Sequence, residues 1–305
     1  MKLFKSPCLT HAFHSLCLIV LAFVLTESPY AQQAQKINVI AFGAHPDDCD
    51  NRAGGVAAKY AALGHRVRFV AVTNGDAGHQ TQGGAQLGRR RRAEAQEAGR
   101  RIGIEYVVLD NHDGKLLPTL EVREQIIRQM RQWNADLVLA PRPNDYHPDH
   151  RYTGVLVQDA AYMVTVPNIC PDTPALRQNP VFMYFQDGFQ KPNPFSPDVA
   201  VSIDDVIEKK YDMLDAHVSQ MYEWLAWHDR NLDKVPKDPK ARKEWLKTQR
   251  KYDPTPAVRQ ALAKRYGPDA AKKMKYAEAF EICEYGTRPT EADIRRLFPF
   301  FPGKP

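Results

Sequence analysis

From Lys36 to Ala140 the chain repeats one alternation, a short apolar and β-rich run followed by a loop and a helical pattern. Ile37–Phe42 (INVIAF), Arg66–Val72 (RVRFVAV), Tyr106–Leu109 and Asp136–Ala140 read as strands. Residues 54–63, 87–102 and 120–133 read as helices, the first two closed by Gly64 and Gly103. Apolar strands alternating with helices predict an α/β fold, a mostly parallel sheet with helices on both faces. In such sheets the loops that follow the strands share one rim, and ligands bind there. Here those loops are 43–51, 73–86, 110–118 and 141–150. Beyond them the pattern loosens. A helix is expected over 152–164, a proline-broken stretch to 180, strands over 181–186 and 199–203, and a helix capped by Asp204 and running to Trp227. The charged stretch 230–257 reads as an exposed excursion.

Two of the rim loops carry chemistry: Ala44-His45-Pro46-Asp47-Asp48 and His147-Pro148-Asp149-His150. They stand a hundred residues apart, yet the topology places both on the same rim. A catalytic zinc site takes about three protein ligands from His and Asp/Glu and leaves a position open for water. The first loop offers His45, Asp47 and Asp48, and the second offers His147, Asp149 and His150. Each proline restricts the residue before it to extended backbone, which pre-positions His45 and His147. With two adjacent aspartates, one can hold the metal while the other accepts a proton from water. A protonated histidine is the natural donor to a developing oxyanion. This inventory fits metal-assisted hydrolysis of an amide. The donor set suits one divalent ion, zinc first, with iron(II) or cobalt as alternatives. A protein that binds a glycan or metal without turnover is the rival reading, and an amidase on another small N-acyl substrate is a third. No GxGxxG follows the first strand and no GxSxG occurs, which speaks against a dinucleotide site and a nucleophile elbow.

The amino terminus is read separately. Lys2 and Lys5 precede a ten-residue apolar run, Leu16–Leu25, and a polar stretch ending at Ala31. This predicts a signal peptide over 1–31 and a periplasmic or secreted protein, with no membrane span kept after cleavage. Three cysteines remain beyond it, Cys49, Cys170 and Cys283, which allow one disulfide at most, expected between Cys170 and Cys283. The net charge of +6 is modest, and Arg89–Arg92 runs directly into Glu94 and Glu97. That is a solvated helix face and not a nucleic-acid surface. Tyr222, Trp224, Trp227 and His228 fall at near-helical spacing and are expected in the core.

The paired motifs, with Arg91–Gly103, Asp113-Gly114 and His217-Val218-Ser219-Gln220, make the chain resemble the PIG-L/LmbE-like family of zinc-dependent N-deacetylases. The resemblance spans about 37–220. It implies a Rossmann-like domain over 36–228, a C-terminal helical extension over 229–305 packed on or near it, and removal of acetyl groups from N-acetylglucosamine-type substrates. It further implies His45, Asp48 and His150 as metal ligands and Asp47 as general base. His147 would stabilise the oxyanion, and Arg91 and Asp113 would hold the sugar. Asp149 is expected to orient a histidine. The chain departs from the family pattern after Asp48, where Cys49 and Asp50 stand in place of a glutamate.

Overall fold

The computed structural model describes residues 36–303. Seven strands form one sheet: β1 (Asn38–Gly43), β2 (Arg66–Thr73), β3 (Glu105–Asn111), β4 (Leu137–Ala140), β5 (Val181–Phe185), β6 (Val199–Ser202) and β7 (Ala277–Gly286). Their order is β3-β2-β1-β4-β5-β7-β6. The first five pair in parallel, and β7 runs antiparallel to both β5 and β6. The chain winds outward from β1 through β2 to β3, then returns to lay β4 on the other side of β1. The crevice therefore opens at the carboxyl ends of β1 and β4, which is where the two His–Asp loops leave the sheet.

The alternation of side chains along each strand divides the core into two layers. In β1, Val39 and Ala41 join the cluster under α1 (Asp48–Ala62), α2 (Gly84–Ile102) and α5 (Ile207–Ala216). Ile40 and Phe42 face the opposite cluster, built with α3 (Leu120–Trp133) and α4 (Pro148–Met163). Thr119 caps α3 by accepting from the Val122 amide, and Asn134 closes it in the left-handed conformation. Arg131, buried on α3, donates to the carbonyls of Met163, Val164, Val166, Ile169, Cys170 and Thr173. One guanidinium thereby satisfies the end of α4 and the irregular chain after it.

Several expectations are corrected. Asp204 caps no helix: its carboxylate accepts from the amides of Lys275 and Tyr276, and α5 begins at Ile207. The long helix to Trp227 is broken at His217 and continues as a π-helical turn, Ser219–Trp224, and a short α6 (Leu225–His228). Cys49, Cys170 and Cys283 are all buried and unpaired, so no Cys170–Cys283 disulfide forms. Within the expected excursion, α7 (Pro239–Gln249) buries Leu246 against Tyr211, Leu214, Met221 and Tyr222. Tyr222 is core, but Trp227 is 49% exposed and stacks on Trp224.

The tail is also more than a helical extension. Alongside α8 (Pro256–Tyr266), α9 (Pro268–Lys273) and α10 (Glu291–Leu297) it supplies β7. From β7, buried Glu278 accepts the Gly55 and Val56 amides of α1 at 2.8 and 2.7 Å. Its charge is met by buried Lys210 at 2.5 Å, which also donates to the Asn51 carbonyl. Among the described residues no helix is long and apolar enough to cross a membrane. The expected signal peptide lies outside the described residues.

Candidate active site

All four rim loops contribute to one cleft of about 740 Å³, lined at its foot by His45, Asp47, Asp48, Asp113, His147 and His150. Asp48 is the first residue of α1, and its Oδ2 accepts the His45 amide at 2.8 Å, tying the loop to the helix start. Gly43 is required just before: a Cβ there would sit 2.6 Å from the Asp48 Cβ. Between them Asp47 adopts φ 128°, a region that L-residues occupy only under constraint. The constraint is visible. The Asp47 amide donates to the Tyr106 hydroxyl at 3.1 Å, and that hydroxyl donates to Asp50 at 2.9 Å. Asp50 is fully buried and faces His217 Nε2 at 3.2 Å. The acid missing directly after Asp48 is thus present one position later.

Three donor atoms close a triangle. His45 Nδ1 lies 3.2 Å from His150 Nε2, and Asp48 Oδ2 lies 3.5 and 3.4 Å from those two nitrogens. Metal–ligand bonds of about 2.0–2.2 Å in a tetrahedral site imply ligand separations of roughly 3.3–3.6 Å. The triangle has that size. The far nitrogen of each ring faces carboxylates. Asp145 meets His150 Nδ1 at 3.0 Å, and Asp113 and Asp149 stand 3.0 and 3.4 Å from His45 Nε2. Such partners fix which nitrogen is free to ligate. Burial opposes charge on both rings, yet Asp113, Asp149 and Asp48 raise the His45 pKa, and Asp48 and Asp145 raise that of His150. Asp48 is itself held well below the usual carboxylate range, against burial, by His150 and His45. The cluster favours added positive charge at the triangle, so the residues present fit a cation.

Donor atoms of His45, His147 and His150, and of His45, Asp113 and Asp149, also lie within 4.8 Å of one another. His147 Nδ1 accepts the Asp149 amide at 3.2 Å, and Asp113 and Asp149 serve His45 Nε2. The same bond leaves the proton of a neutral His147 on Nε2. Burial, then His45 and His150, push the His147 pKa below the ordinary imidazole value.

Asp47 is buried and makes no contact of this kind with the triangle. Its Oδ1 lies 3.3 Å from Arg91 Nη2, and its pKa is pushed up to about 6 by burial, with Arg91 pulling the other way. Arg91 lines the cleft, but its donors go to the Pro46 and Gly75 carbonyls and to Asp47. Through its two Nη atoms it braces the Asp47 carboxylate and the loop before it. Gly75 makes this possible, since it holds φ 69° and a Cβ would fall 2.4 Å from Arg91 Nη1. Asp113 is likewise drawn to His45 and Arg91, which bring its pKa down to about 2 against burial. Cys49 is buried beneath the loop, its thiol pushed up by burial and by Asp50. That environment disfavours a thiolate ligand.

The sequence reading missed Asp145, Tyr106 and the Asp50–His217 pair. Asp145 had a local cue, lying in the same loop five residues before His150, and His217 stood in a motif already quoted.

Residues 40–161, the segment holding both loops, match the family model PIG-L: GlcNAc-PI de-N-acetylase. The diacetylchitobiose deacetylase of Thermococcus kodakarensis is 33% identical over 204 residues, 62% of this chain and 73% of that protein. The structure of N,N'-diacetylchitobiose deacetylase from Pyrococcus horikoshii superposes with a TM-score of 0.60 at 25% identity, covering 80% of this chain and 83% of that one. The 4-carboxy-2-hydroxymuconate hydratase of Pseudomonas putida KT2440 gives 0.63 at 21% identity, over 84% and 99%. A hydratase on the same scaffold shows that the fold alone does not select the chemistry. The sequence match does what the fold cannot: it runs through the loops that carry the cluster and extends over most of a curated deacetylase, and this chain belongs to the PIG-L family of de-N-acetylases.

Proposed function

We propose that the protein removes the acetyl group from an N-acetylated amino sugar or glycoconjugate, using one divalent cation, zinc first. The observation that carries this reading is the His45–Asp48–His150 triangle with Asp47 beside it, buried and outside the donor set. His45, Asp48 and His150 would hold the cation, which when bound acidifies water and polarises a carbonyl. Asp47 accepts the proton of the attacking water, with Arg91 fixing its carboxylate. As the water oxygen bonds to the acetyl carbon, the carbonyl oxygen gains charge and the Nε2–H of His147 donates to it. When the C–N bond breaks, the proton on Asp47 passes to the departing amine, and acetate and the free amino sugar result. The diacetylchitobiose deacetylase relative supports this substrate class.

The test is acetate release from N-acetylglucosamine, diacetylchitobiose and N-acetylglucosaminyl conjugates by protein stripped of metal and reloaded with zinc, iron(II) or cobalt. Release restored by one metal supports the proposal, and no release from any sugar with any metal overturns it. We further propose export after cleavage following Ala31. Amino-terminal sequencing of the protein from the extracytoplasmic fraction should begin at Gln32, and a start at Met1 overturns this.

A further inference from the structure

Asp47 is the N-cap of α1, yet its carboxylate accepts no amide of the first turn, the task an N-cap aspartate ordinarily performs. The reciprocal half of the cap is altered as well. In α10 that half is direct: Asp293, the third helical residue, accepts the amide of the N-cap Thr290 at 2.9 Å, and Thr290 keeps φ −77°. In α1 the equivalent residue is Asp50, and the Tyr106 hydroxyl of β3 stands between it and the N-cap. The hydroxyl accepts the Asp47 amide at 3.1 Å and donates to Asp50 Oδ2 at 2.9 Å. Behind it the Tyr106 ring packs edge-on against Phe69. His217 faces Asp50 Oδ1 at 3.2 Å, and neither of its ring nitrogens has another partner. All four polar residues are buried.

The interposed hydroxyl lengthens the cap by one link, so the Asp47 amide is held away from the helix start. Backbone at φ 128° accompanies it, a conformation that persists only where its surroundings enforce it. The carboxylate is left to face Arg91 Nη2 in the cleft instead of the helix. We propose that Tyr106 is a positioning residue for the reaction, its hydroxyl held by Asp50 and His217. This relayed cap keeps the Asp47 carboxylate out of helix capping and available to the attacking water. The proposal rests on the deacetylase reading and concerns the same site.

In Tyr106→Phe the Asp47 amide loses its acceptor, and Asp47 should relax to an ordinary N-cap. Turnover should fall about 10²-fold, with KM changed by less than about twofold and one metal ion still bound per chain. Placed in the Asp47→Asn background, the same substitution should change the residual kcat by less than about twofold, because Tyr106 acts through that carboxylate. Asp50→Asn, whose side-chain oxygen can still accept from the hydroxyl, should keep most of the turnover that Asp50→Ala loses. If Tyr106→Phe does not fold, Asp50→Ala carries the comparison between the two backgrounds. A Tyr106→Phe kcat within about threefold of the parent, equal losses in both backgrounds, or Asp50→Asn falling as far as Asp50→Ala overturns the proposal.

If the parent releases acetate from no sugar the deacetylase reading fails, and conformation still decides the relay. A crystal structure of Tyr106→Phe should show Asp47 at negative φ, its carboxylate accepting an amide of the first turn of α1. Asp47 unmoved beside Arg91 would overturn it.

Discussion

Asp47 is held in place from three directions, by the Tyr106 hydroxyl at its amide, by Asn51 at its carbonyl and by Arg91 at its carboxylate. That geometry separates it from Asp48, its neighbour in sequence, which faces the two imidazoles instead. The distinction gives a sharp expectation. Asp47→Asn should lower kcat by roughly 10²–10⁴-fold, the usual worth of a positioned general base. Metal analysis should still find one ion per chain, because the triangle is untouched. A variant that loses its metal, or keeps more than a tenth of the turnover, would remove Asp47 from the base role. At this scale the sequence was most informative where the needed groups are contiguous. The two His–Asp loops announce both their donor types and their meeting place. Tyr106 announces nothing, and Asp50 and His217, visible singly, do not announce their pairing, which depends on a helix start and a helix break that meet only in three dimensions. Arg91 was visible, but spacing does not show that its Nη donors end on Pro46, Gly75 and Asp47.

Elements explain how the loops stay ordered. The loop carrying Gly78 and His79 is pinned by Glu223 of the π-helical turn, which meets His79 Nε2 at 2.8 Å and Arg90 at 2.6 and 2.7 Å. Arg90 above all, then His79, holds the Glu223 pKa below its ordinary value of 4.5, although burial opposes this. A carboxylate with a lowered folded pKa contributes its interactions in full above the ordinary value and loses them as pH falls through the folded one. Amide exchange of residues 77–83, corrected for its intrinsic pH dependence, should therefore accelerate below about pH 4.5. Glu223→Gln should show fast exchange without that step, and an identical step in the variant would place the titrating group elsewhere. On the far face, Arg131 has a purely architectural task. Arg131→Met leaves six carbonyls without their donor and should cost roughly 3 kcal/mol or more in denaturant unfolding. A loss below about 1 kcal/mol would mean that water replaces the guanidinium at little expense.

For the whole molecule, the first four strands were readable because their runs are mostly apolar and each is followed by a helical period. β7 (AEAFEICEYG) was not read, because it is interrupted by Glu278, Glu281 and Glu284. Glu278 is tolerated inside only because Lys210 and two α1 amides meet its charge. The expected boundary after His228 therefore divides a single sheet. A chain ending there should show no cooperative thermal transition, whereas a cooperative melt of 36–228 would restore the boundary. The position of β7 has one more consequence, in the order of synthesis. It is the last strand to be made, and it enters between two made much earlier. Until it emerges from the ribosome, β5 and β6 each keep a bare edge toward the same gap, and Lys210 has no counter-charge. The Gly55 and Val56 amides of α1 likewise wait for Glu278. Closure of the sheet as one unit therefore waits for β7, a folding order compatible with the export proposed above.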